Sequence, residues 1–449
     1  MRRHTFTLGL SAVLAVSMLA GCGSKPAGDE SAASSNQKQD QNASGSTVDL
    51  SQPVELTIYA AGGTSHDQFD ANYGNFIKKK FPNVTINFIS AKDSDGLSLT
   101  SLILHKVNVD LYYETIGTFF KTLQQNQAQF DLTDMINKNH VDLNRFEPTL
   151  IDALRDNGNG QIWGLPVTTN SMSLYYNKDL FDKFGVPYLK DGLTWEELYE
   201  IAGKFNKNDG GKQYVGLAIS PSHSMRMNNY SLPFVDPKTG KSTLDDERWK
   251  QILQPLLEPA KDPSYQSKIT ELGNKLPYSN EFLKTQELAI FGVFSNWQIV
   301  NPQPAPFHWD LAAYPTFKDK PGVGSQQYPD YWTIPNFSQH KEMAFEVLKY
   351  LVSDEYQMEL SKRGDMTVLQ NPEVRKAFGT GSINKDKNLA AAYYNKFAPI
   401  SRKDVNDKTV EKAITNKLVD LAMGRTDLNT ALREAKEEAD KAIETDNHQ

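Results

Sequence analysis

Between Pro53 and Glu114 the hydrophobic pattern switches repeatedly between a period of two and a helical period. That alternation restricts the fold more than any other feature of the chain. PVELTIYAA, from Pro53, alternates and is rich in β-formers, so it reads as a strand that ends in a turn at Gly62-Gly63-Thr64. Phe69, Tyr73, Phe76, Ile77 and Phe81 then recur at helical spacing, and Pro82 stops the run. VTINFIS (Val84 to Ser90) is a second strand. Leu97, Leu99, Leu102, Ile103 and Leu104 suggest a second helix, and VDLYYE (Val109 to Glu114) a third strand. Strand, helix, strand, helix, strand implies an α/β fold with a parallel sheet covered by helices. Such sheets take ligands at the carboxyl ends of their strands, which sets Gly62, Gly63, Thr64, Glu114 and Thr115 near one crevice.

What precedes Pro53 is built differently. Arg2, Arg3 and His4 make a short basic start, and Phe6 to Ala20 is uncharged and mostly apolar. This is the pattern of an export signal over residues 1–21, too short to read as a membrane-spanning helix. Leu19-Ala20-Gly21-Cys22 resembles the lipobox of bacterial lipoproteins. The resemblance implies cleavage before Cys22 and a diacylglycerol on its sulfur; the alternative is a plain signal peptide with an incidental cysteine. Cys22 is the single cysteine of 449 residues, so no thiol is left for a disulfide. Up to Gln52 the chain is rich in Ser, Gly, Ala, Asn, Gln and Asp. With almost no large apolar residues it cannot offset its ordering entropy, so residues 22–52 are expected to form a flexible tether. The remainder is then expected to work just outside a membrane.

The remainder, about 400 residues, is long enough for two lobes rather than one. A formal charge of −7 without a basic patch argues against nucleic acid as a partner. The eight histidines lack zinc-site spacing, and DNGNG (Asp156 to Gly160) lacks the acidic spacing of a calcium loop and reads as a tight turn. No nucleophile elbow or phosphate-binding loop is present, and no cofactor is expected.

Further along, Ile162 to Val167 and Ser173 to Tyr176 read as extended, and Lys178 to Phe184 as a helix closed by Gly185. Thr194 caps a helix with Glu197 three residues on, a capping box. Here the sequence resembles a known family. GLP, LYYNKDLFDKFGVP and TWEEL look like the central signature of extracellular solute-binding proteins of ABC sugar importers, the maltodextrin-binding type. FLKTQELAIFGVFSNW (Phe282 to Trp297), WDLAAYP (Trp309 to Pro315) and AFEVLKYLVSDEYQ (Ala344 to Gln357) resemble later segments of that family in order, the last as one long amphipathic helix. One departure is visible: after Gly364 comes Asp-Met-Thr, where the family often carries a proline.

The resemblance implies a two-lobed periplasmic-binding-protein-like fold, each lobe a mostly parallel sheet flanked by helices, with a hinge between. It divides the chain into a first lobe of 53–169 plus 333–385 and a second of 172–330 plus 386–449. Crossings are expected near Thr169 to Met172 and Tyr328 to Trp332. It implies a carbohydrate ligand, an oligosaccharide, captured without bond chemistry, permease subunits as partners, and a monomer. The Ser- and Asn-rich tether with its lipobox suits a lipid anchor on a Gram-positive cell surface, with a periplasmic setting as the alternative. Sugars need aromatic platforms beside polar groups. The expected ligand contacts are Gly63, Thr64, Glu114, Thr115, Asn170, Trp297, Tyr331 and Trp332. Trp297 is placed where the family has a stacking ring, so Trp297→Ala is expected to remove the response to ligand and spare the empty fold. Trp163, Trp195 and Trp249 are expected in the core. A secreted carbohydrate-active enzyme, a receptor feeding a sensor kinase, and a receptor for peptides, polyamines or metal chelates remain open alternatives.

Overall fold

The computed structural model describes residues 49, 51–93, 97–300 and 302–446. The expected signal segment, Cys22 and nearly all of the expected tether lie outside the described residues. Twelve strands fall among those described. They are β1 (Val54–Ala60), β2 (Val84–Ser90), β3 (Leu111–Thr115), β4 (Leu165–Thr168), β5 (Met172–Asn177), β6 (Lys207–Asp209), β7 (Lys212–Ile219), β8 (Leu288–Phe294), β9 (Trp309–Ala313), β10 (Val323–Gln326), β11 (Asp330–Thr333) and β12 (Lys396–Ala398).

They build two five-stranded sheets, ordered β2-β1-β3-β11-β4 and β6-β7-β8-β5-β9, and a two-stranded ribbon of β10 and β12. The alternating N-terminal pattern gives the expected parallel pairing of β1 with β2 and with β3. The α/β class stands, but the sheets are mixed rather than mostly parallel. β11 runs antiparallel to β3 and β4, and β5 antiparallel to β8 and β9. The cause is the chain path. β4 leads out of the first sheet and β11 leads back into it, so side by side they point in opposite directions.

Each sheet has its own core. Tyr112, Tyr113, Phe119, Tyr331, Trp332 and Tyr356 pack in the first. In the second, period-two alternation splits Tyr175 and Tyr176 between opposite faces. Tyr176 joins Phe181, Trp195 and Trp249, while Tyr175 joins Phe282, Phe291 and Trp309. Each such buried ring stabilises by roughly 1.5–3 kcal/mol.

Local signals explain the helix ends. Asn177 accepts from Leu180 N to start Lys178–Phe184, and Gly185 ends it in the left-handed region at φ 66°. The Thr194 capping box is complete, with Thr194 N donating to Glu197 Oε2 at 2.8 Å. The expected long helix after Ala344 is instead two, Lys341–Leu351 and Asp354–Arg363. Ser353 breaks it by capping the second, accepting from Tyr356 N.

Two crossings join the sheets, at residues 169–171 between β4 and β5 and at 327–329 between β10 and β11. They are tied to each other, Tyr328 N donating to Asn170 O at 2.9 Å. A third stretch, 401–405, leads from β12 to the helix Asp407–Thr415 and straps the two halves together. Lys403 N donates to Asn157 Oδ1 at 3.0 Å, and Lys121 Nζ to Val405 O at 3.1 Å. Among the described residues no helix is long and apolar enough to cross a membrane.

Candidate functional site

Strand ends and crossings converge on a polar crevice between the two sheets. Thr115 ends β3 and begins the helix Ile116–Gln125, so its side chain and that of Thr118 face out of the first lobe. Opposite them stand Arg226, at the end of the helix Pro221–Arg226 that follows β7, and Asp407 and Glu411 on the helix Asp407–Thr415. Tyr328 enters from the second crossing and Lys403 from the strap. Together these groups line a cavity of about 120 Å³. Small-molecule sites are usually about 300–1,000 Å³, so this cavity has room for one end of a ligand rather than for a whole oligosaccharide. A Cβ at residue 117 would overlap Tyr328 Oη, so glycine there is what lets the tyrosine reach across.

Charge in the cavity is arranged in pairs. Arg226 Nε donates to Glu411 Oε2 at 2.6 Å. Lys403 and Asp407 face each other without a salt bridge among the described residues. Burial depresses the Lys403 ammonium, against the favourable field of Asp407. Burial likewise pushes the Asp407 carboxyl up to about 7, with Lys403 opposing and Asp404 and Glu411 reinforcing. Asp407 Oδ1 is buried with no hydrogen-bond partner.

Along the hinge the crevice turns acidic. Asp330, at the start of β11, accepts from Thr168 Oγ1 at 2.8 Å. Burial raises its carboxyl to about 6, aided by Asp365 and Glu114. Asp365 follows Gly364, at the place where the sequence departs from its family pattern. It accepts from Asn296 Nδ2 at 3.4 Å, and Asn296 Oδ1 accepts from Asn170 Nδ2 at 2.5 Å. Nearby His223 is held down to about 4 by burial and by Arg226, so it stays neutral near pH 7.

These carboxyls fix how the empty protein responds to pH. A carboxyl raised in the folded state adds stability that is complete below its ordinary value of 3.8. That stability is lost as pH rises through about 6 for Asp330 and about 7 for Asp407. The unliganded unfolding midpoint is therefore expected to fall between about pH 4 and about pH 7 and to level off above that. Asp407→Asn should flatten that slope; an unchanged slope in the variant would mean Asp407 titrates normally.

The expected contacts are placed as follows. Thr115 lines the cavity. Asn170 sits in the first crossing, bonded to Asn296 beside Trp297. Gly63 is exposed at the end of β1, and Thr64 lies next to it, its carbonyl accepting from Ser90 Oγ at 2.6 Å. Glu114, on β3, is turned back over its own strand and the helix that follows, accepting from Tyr112, Thr118 and Thr122. Trp297 is half-buried against Tyr175, Phe282 and Phe291. Tyr331 and Trp332 call for correction as cleft platforms. Both are 0% exposed, because β11 is an inner strand covered on both faces. Tyr331 Oη donates to Leu150 O, and Trp332 stacks on Tyr113. Arg226, Tyr328, Lys403, Asp407 and Glu411 were not legible as a group, since only tertiary packing brings them together.

Comparison with known proteins places this geometry. The model of the family described as bacterial extracellular solute-binding protein matches residues 62–358. The sn-glycerol-3-phosphate-binding periplasmic protein of Shigella dysenteriae is 31% identical over 103 residues, 22% of this chain and 23% of that protein. A Brucella abortus protein described as a binding protein is 32% identical over 152 residues, 32% of this chain and 34% of that one. The chain thus spans about a quarter to a third of the length of these relatives. Among solved structures, an ABC substrate-binding protein from Listeria monocytogenes in complex with cycloalternan superposes with TM-score 0.67 at 18% identity, over 87% of this chain and 99% of that one. A sugar transporter from Rhizobium etli in an open conformation gives TM-score 0.67 at 19% identity, over 86% and 99%. Both share the fold of two sheets with flanking helices.

Proposed function

The chain belongs to the bacterial extracellular solute-binding protein family, and from that premise we propose that it is the carbohydrate receptor of an ABC importer. In this reading it captures an oligosaccharide end between two lobes and hands it unmodified to a membrane permease. The observation that carries the reading is the cavity itself, polar and lined from both halves of the chain and from the crossing between them. A ligand that touches both halves binds the closed state better than the open one and shifts the population toward closure. The lobes are taken as 53–169 plus 333–385 and 172–330 plus 386–449, with Gly63, Thr64, Glu114, Thr115, Asn170 and Trp297 around the entrance. A lipid on Cys22 would tether a monomer to the outer face of a Gram-positive membrane.

A second reading, a phosphorylated polyol, is favoured by the Shigella relative and by three cations, Arg226, Lys403 and Lys408, at the cavity. A thermal-shift screen of the purified chain tests both. Ligand at about a hundred times its Kd should add about 2.7 kcal/mol to stability. The expected result is a raised midpoint with a neutral oligosaccharide that is recovered intact. Consumption of the sugar would point to an enzyme, and no shift with any saccharide or polyol phosphate would end the receptor reading.

A further inference from the structure

Three cations at the cavity suggest an anionic guest, but their partners reverse that conclusion. The Arg226 charge is already met by Glu411 at 2.6 Å. Lys408 is exposed, so its charge is spent on solvent. Lys403 has Asp407 and Glu411 as acidic neighbours and Arg226 as a like charge. With both carboxyls ionised the enclosed groups sum to no net charge, and an entering phosphate or carboxylate then meets two carboxylates as well as two cations.

What the cavity lacks is hydrogen bonds. Lys403 Nζ carries three donors and has two long bonds, to Ser401 Oγ at 3.1 Å and to Arg226 O at 3.4 Å. One donor is left over. Asp407 Oδ1 is a buried acceptor with nothing to accept from. A buried polar atom left unpaired costs about 1–3 kcal/mol. Lys403 and Asp407 both line the cavity, so a spare donor and a spare acceptor, the complement of a hydroxyl, stand on two residues of one lining.

We propose that this cavity is a subsite for an uncharged hydroxyl pair, the diol end of a neutral sugar, with Asp407 accepting from one hydroxyl and Lys403 donating to its neighbour. The subsite rejects a phosphate or a carboxylate at that end. This rests on the receptor reading and narrows it, against the polyol phosphate. The raised carboxyl of Asp407 fits the same picture: a hydroxyl donor from the ligand stabilises the ionised form and brings the titration back toward its ordinary range.

The test is calorimetric titration of the full chain with maltotriose, β-1,4-mannobiose and cellobiose as neutral probes. Glycerol 3-phosphate, glucose 6-phosphate and glucuronate serve as anionic probes, and glucosamine as a cationic one. The expected result is binding of at least one neutral probe, weakened about tenfold or more in both Asp407→Asn and Lys403→Met. Glu437→Gln, an exposed change on the C-terminal helix far from the cavity lining, should change affinity less than twofold. Binding should also release protons near pH 7 in the native chain and not in Asp407→Asn, a readout that a merely structural role would leave unmoved. Tighter binding of an anionic probe or of glucosamine overturns the inference and leaves the receptor reading in place. So does neutral-sugar binding that both variants retain at full strength. Failure of every saccharide and polyol phosphate removes the receptor reading and the inference together.

Discussion

Trp297→Ala is expected to lower the stability of the empty protein by about 2–3 kcal/mol, where the sequence reading favours a spared empty fold and keeps a core role as the alternative. A fully buried Trp or Phe cut back to alanine costs about 3–5 kcal/mol. Trp297 is half-buried, so the expected loss falls just below that range. Its ring meets Tyr175 edge-on at 5.3 Å and Phe291 at 5.2 Å, with Phe282 at 6.1 Å. Those rings form the outer core of the second sheet, so truncation leaves a cavity among aromatics. Urea unfolding without ligand measures it: the midpoint should fall with the slope unchanged. A loss below about 0.5 kcal/mol, the scale of an ordinary surface substitution, would restore Trp297 to the role of a free platform. Affinity is expected to fall too, so the two effects have to be separated by titrating the folded variant.

Arg226→Ala should be comparably costly, for a different reason. Glu411 is 8% exposed and Arg226 30%. Removing the guanidinium strands a buried carboxylate; breaking a buried pair from one side costs about 3–5 kcal/mol. Solvent reaches the arginine, which reduces the expected loss to about 2–3 kcal/mol. Adding Glu411→Gln to Arg226→Ala should recover part of it, because the stranded charge is gone. The double-mutant cycle should show a coupling of at least about 1 kcal/mol. Strictly additive losses would mean the pair is solvated and idle.

The contrast between fold and site follows from range. The parallel trio β1, β2 and β3 is written in residues that are neighbours in sequence, and so is the Thr194 cap. The break at Ser353 was also written there, as a serine before two acidic residues. It was masked because Leu348, Leu351, Val352 and Tyr356 keep an apolar stripe running across it. The cavity is another matter. Arg226 and Asp407 lie in unrelated helices, and no local pattern says that one will end opposite the other. Thr115 was placed at the crevice because a strand end is a place, and a place can be read from topology, while Asn170 was placed in the first crossing by the family resemblance. Tyr331 and Trp332 sit at such a place too. Aromatic residues in a crossing strand say that it is packed, but not that both faces of that strand are covered.

The position of β11 has a consequence for how the chain is made. Its four residues sit between β3 and β4, so the first sheet stays incomplete until everything from Thr168 to Asp330 has left the ribosome. Until then β3 and β4 each present an unpaired edge, an invitation to aggregation. Pairings this distant in sequence are slow to form. A nascent chain that closes its first half so late keeps those edges open throughout the synthesis of its second half.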